Sequence, residues 1–198
     1  MRFLLIFLTI LIGANNSYSD EFEEFVRGWE LSQKSDYRGA MRLWHPLAEK
    51  GFLDAQIQLG IMYRDGIGVA KNSVKAAKWF RQAAKQGHPI VQNALGEMYS
   101  RGEGVPVNHI EAVKWFRLSA KNRYFRGWYN LGKAYFLGVG VPSDKRKAHI
   151  WLSFAAALGD EASKKALAEL ETKMAYPEIQ KARQAARTCQ DTNYLDCG

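Results

Sequence analysis

The chain is 198 residues long with a formal charge of +8, room for one well-buried domain or a short repeat array. Residues 20–60 carry a net −3 and residues 61–198 a net +10, so the basic body either favours anionic partners (acidic proteins, cell-wall polymers, lipid headgroups) or is a solvated face. The two cysteines, both at the far end, lack the histidine or cysteine neighbours that a four-ligand structural metal site needs.

From the N-terminus, MRFLLIFLTILIGANNSYSD reads as an export signal. Arg2 gives a short positive start, Phe3 to Ile12 an apolar run, and Ser17-Tyr18-Ser19 a small-x-small cleavage site. The run is too short to cross a bilayer core of about 30 Å, which argues against a permanent anchor. No cysteine follows it to carry a lipid; a buried structural helix is the alternative reading. Residues 1–19 are therefore expected to be removed, leaving a mature chain outside the cytosol, in the periplasm or secreted. That compartment, rather than charge, disfavours nucleic acid as a partner.

The body then repeats itself. LGIMYRDGIGVAKN begins at Leu59, LGEMYSRGEGVPVN at Leu95 and LGKAYFLGVGVPSD at Leu131, 36 residues apart each time. Tyr63, Tyr99 and Tyr135 keep the interval, as do Trp79, Trp115 and Trp151. Ala40, Ala76, Ala112 and Ala148 form a four-member column, and so do Ala48, Ala84, Ala120 and Ala156. A fixed period of this size marks a solenoid of stacked units.

Each unit resolves into two helices. A first helix such as Asp54–Arg64 puts Ala55, Leu59 and Tyr63 on one face. Gly60 costs about 1 kcal/mol of helix propensity against alanine, which a close approach by another helix backbone would explain. A second helix such as Ser73–Gln86 starts at a Ser73 cap and turns Ala76, Phe80, Ala83 and Ala84 inward. Gly51, Gly87 and Gly159 are expected to end helices in the left-handed conformation. The Gly-x-Gly-Val turns follow a helix rather than a strand and lack a lysine–serine pair, which argues against a phosphate-cradling loop. Val69, Val105 and Val141 are expected to plug the underside of these turns. In the tail, Asp160–Lys173 reads as one more first helix and Pro177–Arg187 as a closing helix. Cys189 and Cys197 are expected to bridge in an oxidising compartment, closing the loop QDTNYLD.

The pattern A-x3-LG-x2-Y-x2-G-x-GV, then A-x2-WF-x2-A-A-x2-G, resembles the Sel-like repeat (SLR), a branch of the tetratricopeptide superfamily with an extended inter-helix turn. The likeness divides residues 54–159 into three units, 54–89, 90–125 and 126–159. Residues 20–53, with FVRGWELSQKSDYRGAMRLWHPLAEKG, resemble a degenerate opening unit in which Trp44 takes the column of Phe80. Residues 160–198 would be the closing cap. Arg123 and Ser119 depart from the pattern, standing where glycine and alanine are expected. The resemblance implies an all-α, right-handed superhelix with the first helices on its concave side. It also implies a non-catalytic scaffold that binds a protein or peptide there, without a cofactor.

Carried over by that likeness, the exposed first-helix positions are Ile57, Ile61 and Arg64; Asn93, Glu97 and Ser100; and Tyr129, Lys133 and Phe136. Trp128 is expected beside them, in the place of Gln56 and Gln92. His45, His88, His109 and His149 show no metal-ligand or catalytic spacing; His88 reads as turn structure, and Ser73 and Ser143 as caps. Two alternatives are a cell-wall or β-lactam-binding enzyme and an electrostatic adaptor for anionic polymers. Some cysteine-rich exported SLR proteins are credited with β-lactam binding, but these repeats contain no cysteine.

Overall fold

The repeat interval reappears as the spacing of helix starts. The computed structural model describes residues 19–191, and every regular element among them is an α-helix. α1 covers residues 19–33. It is followed by α2 (Tyr37–Glu49), α3 (Leu53–Asp65), α4 (Ser73–Lys85), α5 (Pro89–Arg101) and α6 (His109–Lys121). Then come α7 (Phe125–Leu137), α8 (Lys145–Ala157), α9 (Glu161–Glu171) and α10 (Tyr176–Asp191). The starts of α2, α4, α6 and α8 lie 36 residues apart, and those of α3, α5, α7 and α9 do too. The expected export signal lies outside the described residues but for Ser19.

An acidic or amide side chain starts each second helix. Asp36, Asn72, Asn108 and Asp144 accept the backbone N–H of Gly39, Lys75, Glu111 and Lys147 at 2.8–3.0 Å, satisfying a donor that the first turn leaves unpaired. In the three long turns, the N–H of Asn72, Asn108 and Asp144 also donates to the carbonyl of Tyr63, Tyr99 and Tyr135. The cap is therefore Asn72, not the expected Ser73. Ser143 likewise leaves capping to Asp144 and donates its hydroxyl to the Phe136 carbonyl. At the other end of these turns Gly66, Gly102 and Gly138 close α3, α5 and α7 with φ near +70°.

The helices divide into two compact units that part at Gln82, within α4. In the first, Ala40, Trp44, Leu47, Ala55 and Leu59 are buried together, with Tyr63 and Val69 against them. Gly60 lies under the ring of Phe80, which a Cβ there would strike. The close approach inferred from the glycine is thus made by a side chain rather than a helix backbone. Gly28 stands in the same relation to Trp44, whose indole N–H donates to the Phe25 carbonyl at 3.1 Å and so binds α1 to α2. Only three residues separate α1 from α2, against seven between α3 and α4. The opening hairpin lacks the extended turn.

The second unit packs α5 to α10 around Val113, Phe116, Leu131, Trp151, Leu152 and Phe154. Its departures from the repeat pattern have visible uses. Ser119 is fully buried and donates to the Pro89 carbonyl at 2.8 Å, tying α6 to the start of α5. Arg123 adopts φ 57°, alongside 98°, 93° and 89° at Gly51, Gly87 and Gly159; the turn keeps its left-handed shape at a residue that pays a steric penalty for it. At the end of the chain, buried His149 meets Glu171 at 2.8 Å and Arg183 meets the same carboxylate oxygen at 3.1 Å, linking α8, α9 and α10. Burial pushes Glu171 up, but the hydrogen bonds from His149 and Arg183 outweigh it and hold its carboxyl below the usual range. α10 runs past Arg187 and carries Cys189 into the core, while Cys197 lies outside the described residues.

Candidate functional site

Side chains on the first helices gather around one cavity in each unit. In the first unit, a cavity of about 310 Å³ is lined by Trp29 of α1, Tyr37 of α2, Gln58, Ile61 and Met62 of α3, and Ile67 of the turn. Ile61, expected from the sequence as an exposed position, thus lines this cavity. Ile57 is half-buried on the same helix. Arg64 is committed elsewhere: its guanidinium holds both oxygens of Asp65, at 2.7 and 2.8 Å, and lies 5.7 Å from the centre of the Phe80 ring. That hydrogen bond keeps the Asp65 carboxyl below its ordinary range.

In the second unit a cavity of about 230 Å³ opens between α5, α6 and α7. Glu97, Ser100 and Lys133, expected from the sequence, line it together with Arg101, Phe116 and Asn130. A polar ladder crosses from α5 to α7. Asn93 Nδ2 donates to Glu97 Oε1 at 2.9 Å, and Asn130 Nδ2 donates to Asn93 Oδ1 at 2.8 Å and to Glu97 Oε1 at 3.2 Å. Arg101 approaches the other carboxylate oxygen of Glu97 at 3.5 Å. Tyr129, Lys133 and Phe136 follow along α7 at helical spacing, so they share a face. The ammonium of Lys133 lies 5.4 Å from the Tyr129 ring centre, and that of Lys173 lies 4.8 Å from the centre of Phe136. Cations over aromatic faces are attracted by the ring quadrupole.

Two expected contact residues are corrected. Asn93 is buried, because its amide is consumed by the ladder. Trp128 is buried too, and its indole N–H donates to the Ala120 carbonyl at 2.9 Å. Gln92 makes the same bond to Ala84 at 3.1 Å, and Gln56 to Ala48 at 3.0 Å. Each reaches eight residues back to a carbonyl in the last turn of the preceding second helix, where helical partners run out. The column that contains Trp128 therefore fastens one hairpin to the next.

Trp29, Arg101, Asn130 and Lys173 were not found from the sequence. Asn130 aligns with Gln58 and Ala94, a column that varies as a surface does; that was its only signal. His88, read as turn structure, caps α5 through Nδ1 and the Val91 N–H at 3.4 Å. Among the described residues no three His, Cys, Asp or Glu side chains are placed to hold a metal ion. No described helix is long and apolar enough to cross a membrane.

Comparison with known proteins places these features. The model of the Sel1 repeat family matches residues 53–88, 89–124 and 129–160. Among solved structures, the chain is similar to a protective antigen of uropathogenic Escherichia coli strains that displays an SLR fold. The TM-score is 0.70 at 34% identity, over 77% of this chain and 34% of that one. It is also similar to a Sel1 repeat protein from Oxalobacter formigenes, with a TM-score of 0.66 at 31% identity, over 72% of this chain and 59% of the other. Chitin synthase regulatory factor 3 of Schizosaccharomyces pombe is 48% identical over 48 residues, 24% of this chain and 5% of that protein. The chain thus spans less than two thirds of each of these relatives.

Proposed function

The chain belongs to the Sel1 repeat family, and from that premise we propose that it is a non-catalytic protein-interaction scaffold of the bacterial envelope or secreted fraction. A peptide or helix of its partner lies along the face that the first helices α5 and α7 make within the second unit. The observation that carries this reading is the contrast between columns. Leu59, Leu95 and Leu131 are fully buried and identical, while the side chains at the two cavities differ from unit to unit: Ile61, Glu97 and Lys133 occupy one column. A preformed surface lowers the ordering cost of binding on the receptor side. The extracytosolic location is supported by the leader alone.

Affinity capture from the native compartment tests the reading, with wild type compared against Tyr129→Ala combined with Phe136→Ala. Both rings also pack against the core, so circular dichroism must accompany the capture. Ser100→Trp, which fills the second cavity from a half-buried position, is the companion variant. Loss of the partner with helicity intact is expected. Capture that survives Ser100→Trp moves the partner away from the second cavity. Failure to capture any partner, or capture lost only together with the fold, refutes the scaffold reading.

A further inference from the structure

We infer that the cavity of the second unit takes an acidic segment of the partner chain, with a carboxylate at Lys133 and a neighbouring apolar side chain in the cavity. This rests on the scaffold reading and adds the chemistry of the partner to it.

The charges lining the cavity decide the sign. Glu97 is the carboxylate there, and it is already satisfied: two amides donate to Oε1 and Arg101 lies by Oε2. It does not repel an incoming anion as a bare carboxylate does. Arg101 is shared between Glu97 and Glu103, each at 3.5 Å, so it neutralises what is present and contributes little to a newcomer. Lys133 differs. Among the described residues no carboxylate pairs with it; its ammonium has the Tyr129 ring beneath it. It lines the cavity from α7, one helical step from Asn130. An ammonium held by a ring and lacking an anionic partner gains most from a carboxylate.

The floor decides the second half of the ligand. Ala112, Val113 and Phe116 from α6 and Ala134 from α7 are buried apolar residues that reach the cavity, and no charged group sits on that floor. Burying a methylene there gains about 0.8 kcal/mol, whereas a second carboxylate placed there would be desolvated without a partner. The apolar group therefore goes in and the anion stays at the rim. Residues 83–198, the second unit, carry 17 basic and 11 acidic side chains, a net +6, which steers such a segment toward this unit.

The test is selection of a phage-displayed random-peptide library on the full chain, followed by fluorescence anisotropy with the best selected peptide. The expected consensus joins Asp or Glu to Leu, Ile or Phe. Lys133→Glu weakens that peptide about tenfold, replacing its acid by the amide does the same, and affinity falls as salt is raised. A neutral or basic consensus, or indifference to Lys133→Glu, overturns the acidic assignment while leaving the scaffold reading intact. A peptide whose binding ignores Ser100→Trp sits elsewhere and overturns the site. If the library yields no binder at all, the scaffold reading itself falls. A dimer of the full chain that Lys133→Glu dissociates would make a second copy the occupant and also overturn the proposal.

Discussion

Replacing Trp128 by phenylalanine keeps an aromatic ring in the core and removes one N–H. The Ala120 carbonyl would still accept from the Arg123 N–H at 3.0 Å. It therefore keeps a backbone partner and is not orphaned. The loss is that of a typical net hydrogen bond, about 1 kcal/mol, rather than the 1–3 kcal/mol of a wholly unsatisfied buried group. The smaller ring gives up some contact with Phe154, whose ring centre lies 5.6 Å away, which adds up to about 1 kcal/mol. Together these lower the melting temperature by about 2–8 °C for a chain of this size. Gln92→Leu should behave alike, since Ala84 keeps the Gly87 N–H and Asn122 keeps the Gly87 carbonyl. Thermal and urea unfolding followed by circular dichroism measure both. Unchanged stability in Trp128→Phe together with loss of a partner would return Trp128 to the binding surface and refute the hairpin-fastening account.

Other expectations follow from single features. Arg123→Gly should stabilise by about 0.5–1 kcal/mol by relieving a left-handed residue, while Gly87→Ala, at φ 93° with open space around it, should destabilise by about 1 kcal/mol; urea midpoints read both. Gly60→Ala drives a methyl into the Phe80 ring and should cost about 1–3 kcal/mol by overpacking, visible as a lower melting temperature. The lowered Glu171 carboxyl contributes stability above the ordinary glutamate value of about 4.3, and that contribution is lost as pH falls through its folded value. Glu171→Gln should therefore flatten the acid limb of a stability–pH curve. If Cys189 and Cys197 are bridged, alkylation without reductant leaves both unlabelled, and reduction lowers stability by about 2–3 kcal/mol.

Much of the fold was legible in the chain because a solenoid presents the same packing problem once per unit, so side chains at the same interval meet the same neighbours. Leu59, Leu95, Leu131 and the alanine columns, apart from the half-buried Ala156, could be assigned to the core from spacing alone. Where two local candidates competed, spacing did not choose: Ser73 and Asn72 are both capping types, and the turn backbone that bonds Asn72 to Tyr63 settled it. The contact surface was less readable. Trp128 has the composition of a hot spot, yet its N–H is spent on a carbonyl eight residues back, and only the angle at which one hairpin meets the next places that carbonyl within reach. Asn93 and Asn130 stand 37 residues apart and share one ladder because neighbouring first helices lie side by side. The amino-acid order by itself thus determined the unit, its two helices and its buried columns, all properties of a periodic strip. Which variable side chains face outward was decided only by the packing of one hairpin against another, because exposure belongs to neighbours and not to residues.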